Sequence, residues 1–187
     1  MTIMLTLENE TNYKDVVVNI DEFVPFDITF GKGSEQCLYW RGGNGKSSLV
    51  EVGLNMYSGE VSNITLANID SGEINITDEM LANNLPEIQG SVIFQTSEWL
   101  NKDISEYSNR FIDDFDCNIK LIIGSNYIKL LFKKATNPIC YIINRNIRFG
   151  FSLSSELLSL IIRDHNHEKL ALLNLFNHST SFTIPNN

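Results

Sequence analysis

Positive charge is scarce in this 187-residue chain: 14 Lys and Arg stand against 23 Asp and Glu, a formal net charge of −9. Neutralising phosphates, which dominates nucleic-acid affinity, takes Lys or Arg, so the balance argues against DNA or RNA as the partner. Cysteine is scarce as well. Cys37, Cys117 and Cys140 are odd in number, scattered, and form no Cys-x-x-Cys pair, which reads as free, half-buried thiols in a reducing compartment. Long apolar runs are missing, and the opening Met-Thr-Ile-Met-Leu-Thr-Leu-Glu has no basic flank. Neither a membrane span nor a secretory signal is therefore expected. Without secretion the Asn-x-Ser/Thr sequons at Asn9, Asn63, Asn75 and Asn177 carry no meaning.

What is present is ordinary globular composition, 43% apolar and 20% charged, long enough for one domain with a proper core. The charge is unevenly spread. Met1–Asp116 holds 20 acidic and 6 basic residues, net −14, whereas Cys117–Asn187 holds 3 acidic and 8 basic, net +5. Such asymmetry predicts one acidic and one mildly basic surface, and an acidic major surface suits a basic protein partner. Negative charge that merely keeps the chain soluble is the plainer alternative.

Alternating and β-branched runs dominate the pattern. They predict strands over Ile3–Leu7, Asp15–Ile20, Phe26–Phe30, Gln36–Trp40, Ser48–Leu54 and Val61–Ala67. A later meander covers Asn118–Ile123, Tyr127–Lys133, Ile139–Ile143, Ile147–Leu153 and Leu157–Arg163. Gly59, in the Tyr57–Glu60 connection, supplies the positive φ of a tight turn. A capping Thr77 followed by acidic residues predicts a short helix over 77–84, stopped before Pro86, and a second helix is expected over Asn166–Phe176. The expected fold class is α+β, predominantly antiparallel β, in one globular domain 1–187 that contains possible lobes 1–69 and 117–187 joined by 70–116.

One internal echo supports the lobes. Val52-Gly53-Leu54, then Glu60 to Leu66, parallels Phe149-Gly150-Phe151, then Glu156 to Ile162. Each is a strand with a central glycine, a polar turn, then alternation after a glutamate. Glycine within a strand marks a bulge or a close backbone approach.

Motifs that carry chemistry are weak. Gly45-Lys46-Ser47 fits the end of a phosphate loop, but Trp40 stands where the leading glycine is required and Leu49-Val50-Glu51-Val52 is strand-like. Ser48 to Ile69 reads instead as an antiparallel hairpin. His165, His167 and His178 lack an identifiable third ligand pattern, so surface histidines are the simpler reading. Asp103, Glu106, Asp113, Asp114 and Asp116 form the densest carboxylate cluster, without the spacing of a calcium loop. A docking patch for a basic protein and a solvated loop are the two readings. No nucleophile elbow is present. A hydrolytic Glu/Asp pair assembles in space and leaves no linear mark, so that reading stays open. Trp40 and Trp99 are expected as core anchors.

The segment Ser48-Leu-Val-Glu-Val-Gly-Leu with Ser58-Gly-Glu-Val-Ser-Asn-Ile-Thr-Leu resembles a hairpin found in immunity partners of bacterial polymorphic toxins, including contact-dependent growth inhibition systems. So does Ile147-Arg-Phe-Gly-Phe with Leu157 to Ile161. The resemblance covers roughly a quarter of the chain and is structural in kind. It implies a cytoplasmic, non-enzymatic antidote that binds a toxin domain and blocks its active site or substrate surface, with no cofactor or metal. The toxin is expected to be basic, as a nuclease would be, and neither nucleic acid nor membrane is expected as a partner. The five carboxylates above are the candidate toxin contacts. An exposed strand edge offers a second mode, strand addition. The alternatives are a β-rich small-ligand binder or enzyme, which would show a concave pocket, and an assembly protein, which would show a large apolar interface.

Overall fold

The structure, a computed structural model, describes residues 5–20, 24–81, 84–132 and 137–163. Its strands are β1 (Leu7–Thr11), β2 (Val16–Asn19), β3 (Phe26–Phe30), β4 (Cys37–Gly43), β5 (Leu49–Asn55), β6 (Val61–Asn68), β7 (Ile74–Ile76) and β8 (Glu87–Gln89). They continue with β9 (Ser91–Phe94), β10 (Phe111–Asp114), β11 (Ile119–Ile123), β12 (Tyr127–Phe132), β13 (Cys140–Asn144), β14 (Ile147–Phe151) and β15 (Leu157–Arg163). β3 and β15 have the expected bounds, β2, β4–β6 and β11–β14 lie within three residues of theirs, and β1 shares only Leu7 with the expected Ile3–Leu7. Three sheets result: six strands in the order β10-β4-β5-β6-β3-β2, seven in the order β7-β11-β12-β15-β14-β13-β8, and the ribbon β1-β9.

Most neighbours are antiparallel, as expected, but three short strands join in parallel: β10 on β4, β7 on β11 and β8 on β13. The two large sheets bury their inner faces in one continuous apolar core. Aromatic rings bridge them, Phe30 to Phe149 at 5.8 Å and Trp40 to Phe132 at 6.0 Å between centroids. The ribbon ties the two echoed hairpins together. Phe94 donates its N–H to Gly59 O (2.9 Å) on one side, and Leu7 donates to Ser155 O (2.8 Å) on the other.

The two large sheets repeat one plan. β2, β3, β6, β5 and β4 lie in the same order as β11, β12, β15, β14 and β13. The registers coincide residue by residue. Tyr39 faces Gly53 and Gly53 faces Asn63 in the first sheet, where Tyr141 faces Gly150 and Gly150 faces Ser159 in the second. Both copies carry a ladder irregularity at the glycine, between Gly53 and Leu54 and between Gly150 and Phe151. A Cβ on Gly53 would sit 2.1 Å from Asn63 Oδ1, and one on Gly150 would sit 2.4 Å from Ser159 Oγ, so each glycine makes room for the polar side chain across the ladder.

Residues 77–81 form no helix. The Thr77 hydroxyl does take the Glu79 N–H (3.2 Å) as a cap would, but the Asp78 and Glu79 carbonyls accept from Ser125, and Leu81 N–H donates to Asn126 Oδ1. Backbone groups bound to the β11–β12 turn are not free for a helical ladder. The helix expected at Asn166–Phe176 lies outside the described residues, as do His165, His167 and His178. Among the described residues the longest helical element is a four-residue 3₁₀ turn, Tyr107–Arg110. None is long and apolar enough to cross a membrane.

Candidate interaction surface

The Gly-Lys-Ser segment closes the β4–β5 hairpin. Asn44 Oδ1 accepts the N–H groups of Lys46 (2.9 Å), Ser47 (2.9 Å) and Ser48 (3.0 Å). The amides that a phosphate would need are therefore satisfied within the loop, and a strand follows where a helix is required.

The outer faces of the two sheets differ sharply. That of the seven-stranded sheet is closed: Tyr127, Tyr141, Ile143 and Ile161 are buried there, with Leu81 and Leu85 packed against them. Arg148 on this face is buried and donates to Glu87 at 2.7 Å, while burial pulls the Lys129 ammonium down.

The outer face of the six-stranded sheet is open. Register places two rows across it. The first runs Phe111, Tyr39, Gly53, Asn63, Thr29 and Val17; the second runs Asp113, Arg41, Glu51, Thr65, Asp27 and Asn19. Val17, Asn19 and Asp113 are exposed, Gly53 is buried, and the others are half-buried. Strand alternation dictates this, since the residues between them (Trp40, Val52, Ile64, Ile28) fill the core. The face thus carries three carboxylates and one guanidinium. At the corresponding positions the second sheet has Arg148 for Glu51 and Lys129 for Asp27, but Arg148 is buried against Glu87 and Lys129 is half-buried.

The aromatic corner of this face is well ordered by its own contacts. Tyr39 stacks on Phe111 at 4.9 Å, and Tyr107 meets both rings edge-on. Arg41 lies 4.7 Å over the Phe111 ring and binds Asp113 through two hydrogen bonds, of 2.7 and 3.0 Å. Burial, reinforced by the nearby Cys37, Tyr107 and Glu51, pushes the Tyr39 phenol up to about 12. Glu51 faces Arg41 across the ladder, yet burial raises its pKa and the guanidinium only partly opposes that rise. Asp113 holds Arg41, so Glu51 is left as the carboxylate with spare capacity for a cation. Asp27 accepts from Thr65 Oγ1 at 2.6 Å.

The five carboxylates singled out in the sequence do not form one patch. Asp114 is 4% exposed and turned inward, because consecutive residues of β10 point to opposite sides. Asp113 is engaged by Arg41, and Asp116 is exposed in the turn after β10. Asp103 accepts from the Ser105 N–H and hydroxyl, bonds that lower its pKa, and Glu106 sits one turn on, near Asn109. Tyr39, Arg41, Glu51 and Asp27 went unnoticed because they are spread over three strands. Their one sequence signal is polar residues alternating through β-branched runs. Trp40 and Trp99 are core anchors, the latter donating Nε1–H to Arg110 O at 2.8 Å. Cys37 and Cys117 are buried, Cys140 is half-buried, and none of the three is in a disulfide. No group of three metal-ligating side chains occurs among the described residues. No protein-family model matches the chain, and no curated protein matches it either.

Proposed function

We propose that this chain is a non-enzymatic immunity protein that binds a cognate bacterial toxin domain in the cytoplasm and neutralises it by blocking its active site or substrate surface. The carrying observation is the open outer face of the six-stranded sheet. It sets Asp27, Glu51 and Asp113 beside an exposed aromatic corner, with a single Arg already paired. A toxin that attacks nucleic acid presents a basic cleft, for which such a face supplies both steering and specificity. The aromatic corner provides the anchor that charge alone lacks. The segment bearing Asp103, Glu106 and Asp116 flanks this face through β10, whereas Asp114 is buried and takes no part in it.

The test is a mixture of the purified protein with the toxin domain encoded immediately upstream. A micromolar or tighter complex, and rescue of toxin-expressing cells, are expected. Changing Asp27→Lys and Glu51→Lys together weakens the complex by about a hundredfold and flattens its salt dependence. No complex and no rescue would sink the reading.

A further inference from the structure

The repeated plan of the two sheets leaves one position filled in one sheet and empty in the other. In the second sheet β11 carries β7 as a parallel neighbour, with Leu121 opposite Ile74 and Ile123 opposite Ile76. Register makes β2 the counterpart of β11: Val16 and Val18 face Phe30 and Ile28 as Ile119 and Leu121 face Phe132 and Leu130. Among the described residues nothing pairs with the far edge of β2.

Burial records the difference. Ile119, Leu121 and Ile123 are 1%, 0% and 0% exposed, whereas Val16, Val18 and Ile20 are only partly covered and Val17 is 53% exposed. The backbone phase agrees. Gly31 donates its N–H to Asp15 O at 2.7 Å, which makes Asp15 and Gly31 a hydrogen-bonded pair. Alternation then bonds Val17 and Asn19 to β3 and turns the N–H and C=O groups of Val16 and Val18 toward the open edge. In the other sheet Ile123, the counterpart of Ile20, accepts the Thr77 N–H at 3.0 Å along the same edge.

We propose that the β2 edge takes an extended segment of a basic protein partner as a parallel strand, as β7 joins β11. This rests on the toxin-binding reading and names how the toxin is held. The segment would place an apolar residue beside Val18 to complete the cover over Val16, Val18 and Ile20. Charge selects a basic segment over a second copy of this chain. Asp27 on the neighbouring β3 lies opposite Asn19 on the outer face beside this edge, while Arg145 already meets Asp15 at 3.2 Å, and two copies of a chain of net −9 would repel each other.

The probe is the toxin domain encoded immediately upstream, titrated against wild type, Val18→Pro and Val17→Lys. Proline removes the outward N–H at residue 18 without breaking the β3 ladder, and lysine guards the edge from the solvent face. Both variants are expected to melt near the wild-type temperature and to bind at least about tenfold more weakly. The amides of Val16 and Val18 should gain exchange protection only in the complex. A complex that forms with unchanged affinity in both variants, or without that protection, overturns strand addition and leaves the immunity reading standing. No complex with wild type overturns both. If Val18→Pro unfolds, exchange protection at Val16 and Val18 in the wild-type complex decides alone. Protection already present in the free protein, with mass rising with concentration, overturns the proposal in favour of self-pairing.

Discussion

At the scale of single residues, Glu51 separates folding from binding. Its pKa is raised by burial, with Arg41 only partly opposing. A carboxyl raised in the folded state favours folding fully below the unfolded value, about 4.3 for Glu, and that contribution is lost as pH rises through the folded value. At pH 7 the ionised Glu51 therefore opposes folding. Glu51→Gln should raise the melting temperature at pH 7 by about 1–3 °C, the gain closing toward pH 4, while weakening toxin binding. A variant that loses stability at pH 7 contradicts this. Glu60 has the opposite sign, because a hydrogen bond from Lys14 at 2.7 Å holds its pKa down. Its contribution is present above the unfolded value and is lost as pH falls through the depressed folded one. In Lys14→Met the loss of melting temperature on acidification should be shallower than in wild type across that window. Gly59 is a third residue with a sharp expectation. Its φ is +69°, and a Cβ would lie 2.4 Å from Phe94 O, a backbone atom that cannot swing away. Gly59→Ala should cost about 2–4 kcal/mol in denaturant unfolding, from strain and overpacking together.

At the scale of elements, the β4–β5 loop shows how a local motif misleads and how local chemistry corrects it. Asn44 takes three amides on one oxygen, so Asn44→Ala should destabilise by about 1–2 kcal/mol. ATP titrated calorimetrically into the wild type should give no binding heat. The long strands were legible because alternation over five to eight residues leaves a pattern that survives without context, as in Phe26–Phe30 and Leu157–Arg163. β7, β8 and β10 were not legible. They are three or four residues long and join in parallel through distant partners, so nothing in their own composition marks them. The expected helix at Thr77 failed for a related reason: its carbonyls are taken by Ser125, some forty-five residues on. The acidic run near β10 was legible as charge but not as a surface. Two neighbouring aspartates in a strand cannot share a face, so Asp113 meets solvent while Asp114 turns inward.

At the scale of the whole molecule, the sequence echo proved to mark equivalent hairpins in two sheets of the same order, yet neither sheet covers its own inner face. The inner face of each is covered by the other: Phe30 meets Phe149, Trp40 meets Phe132, and the buried cluster runs without a break through both. A sheet stripped of its partner would expose a continuous row of Val, Ile, Leu and Phe to water, at roughly 25 cal/mol for each Å² uncovered. Cooperative loss of both sheets is therefore expected, despite their internal likeness. Phe149→Ala, which removes a ring from the middle of the sandwich, should cost about 3–5 kcal/mol. That cost should appear as one lowered transition by calorimetry. Amides of β5 in the first sheet and β14 in the second should lose protection together. Two separated transitions, or protection retained in the six-stranded sheet after the seven-stranded one has opened, would show instead that the sheets fold independently. That result would make the acidic outer face a property of the six-stranded sheet alone rather than of the whole molecule.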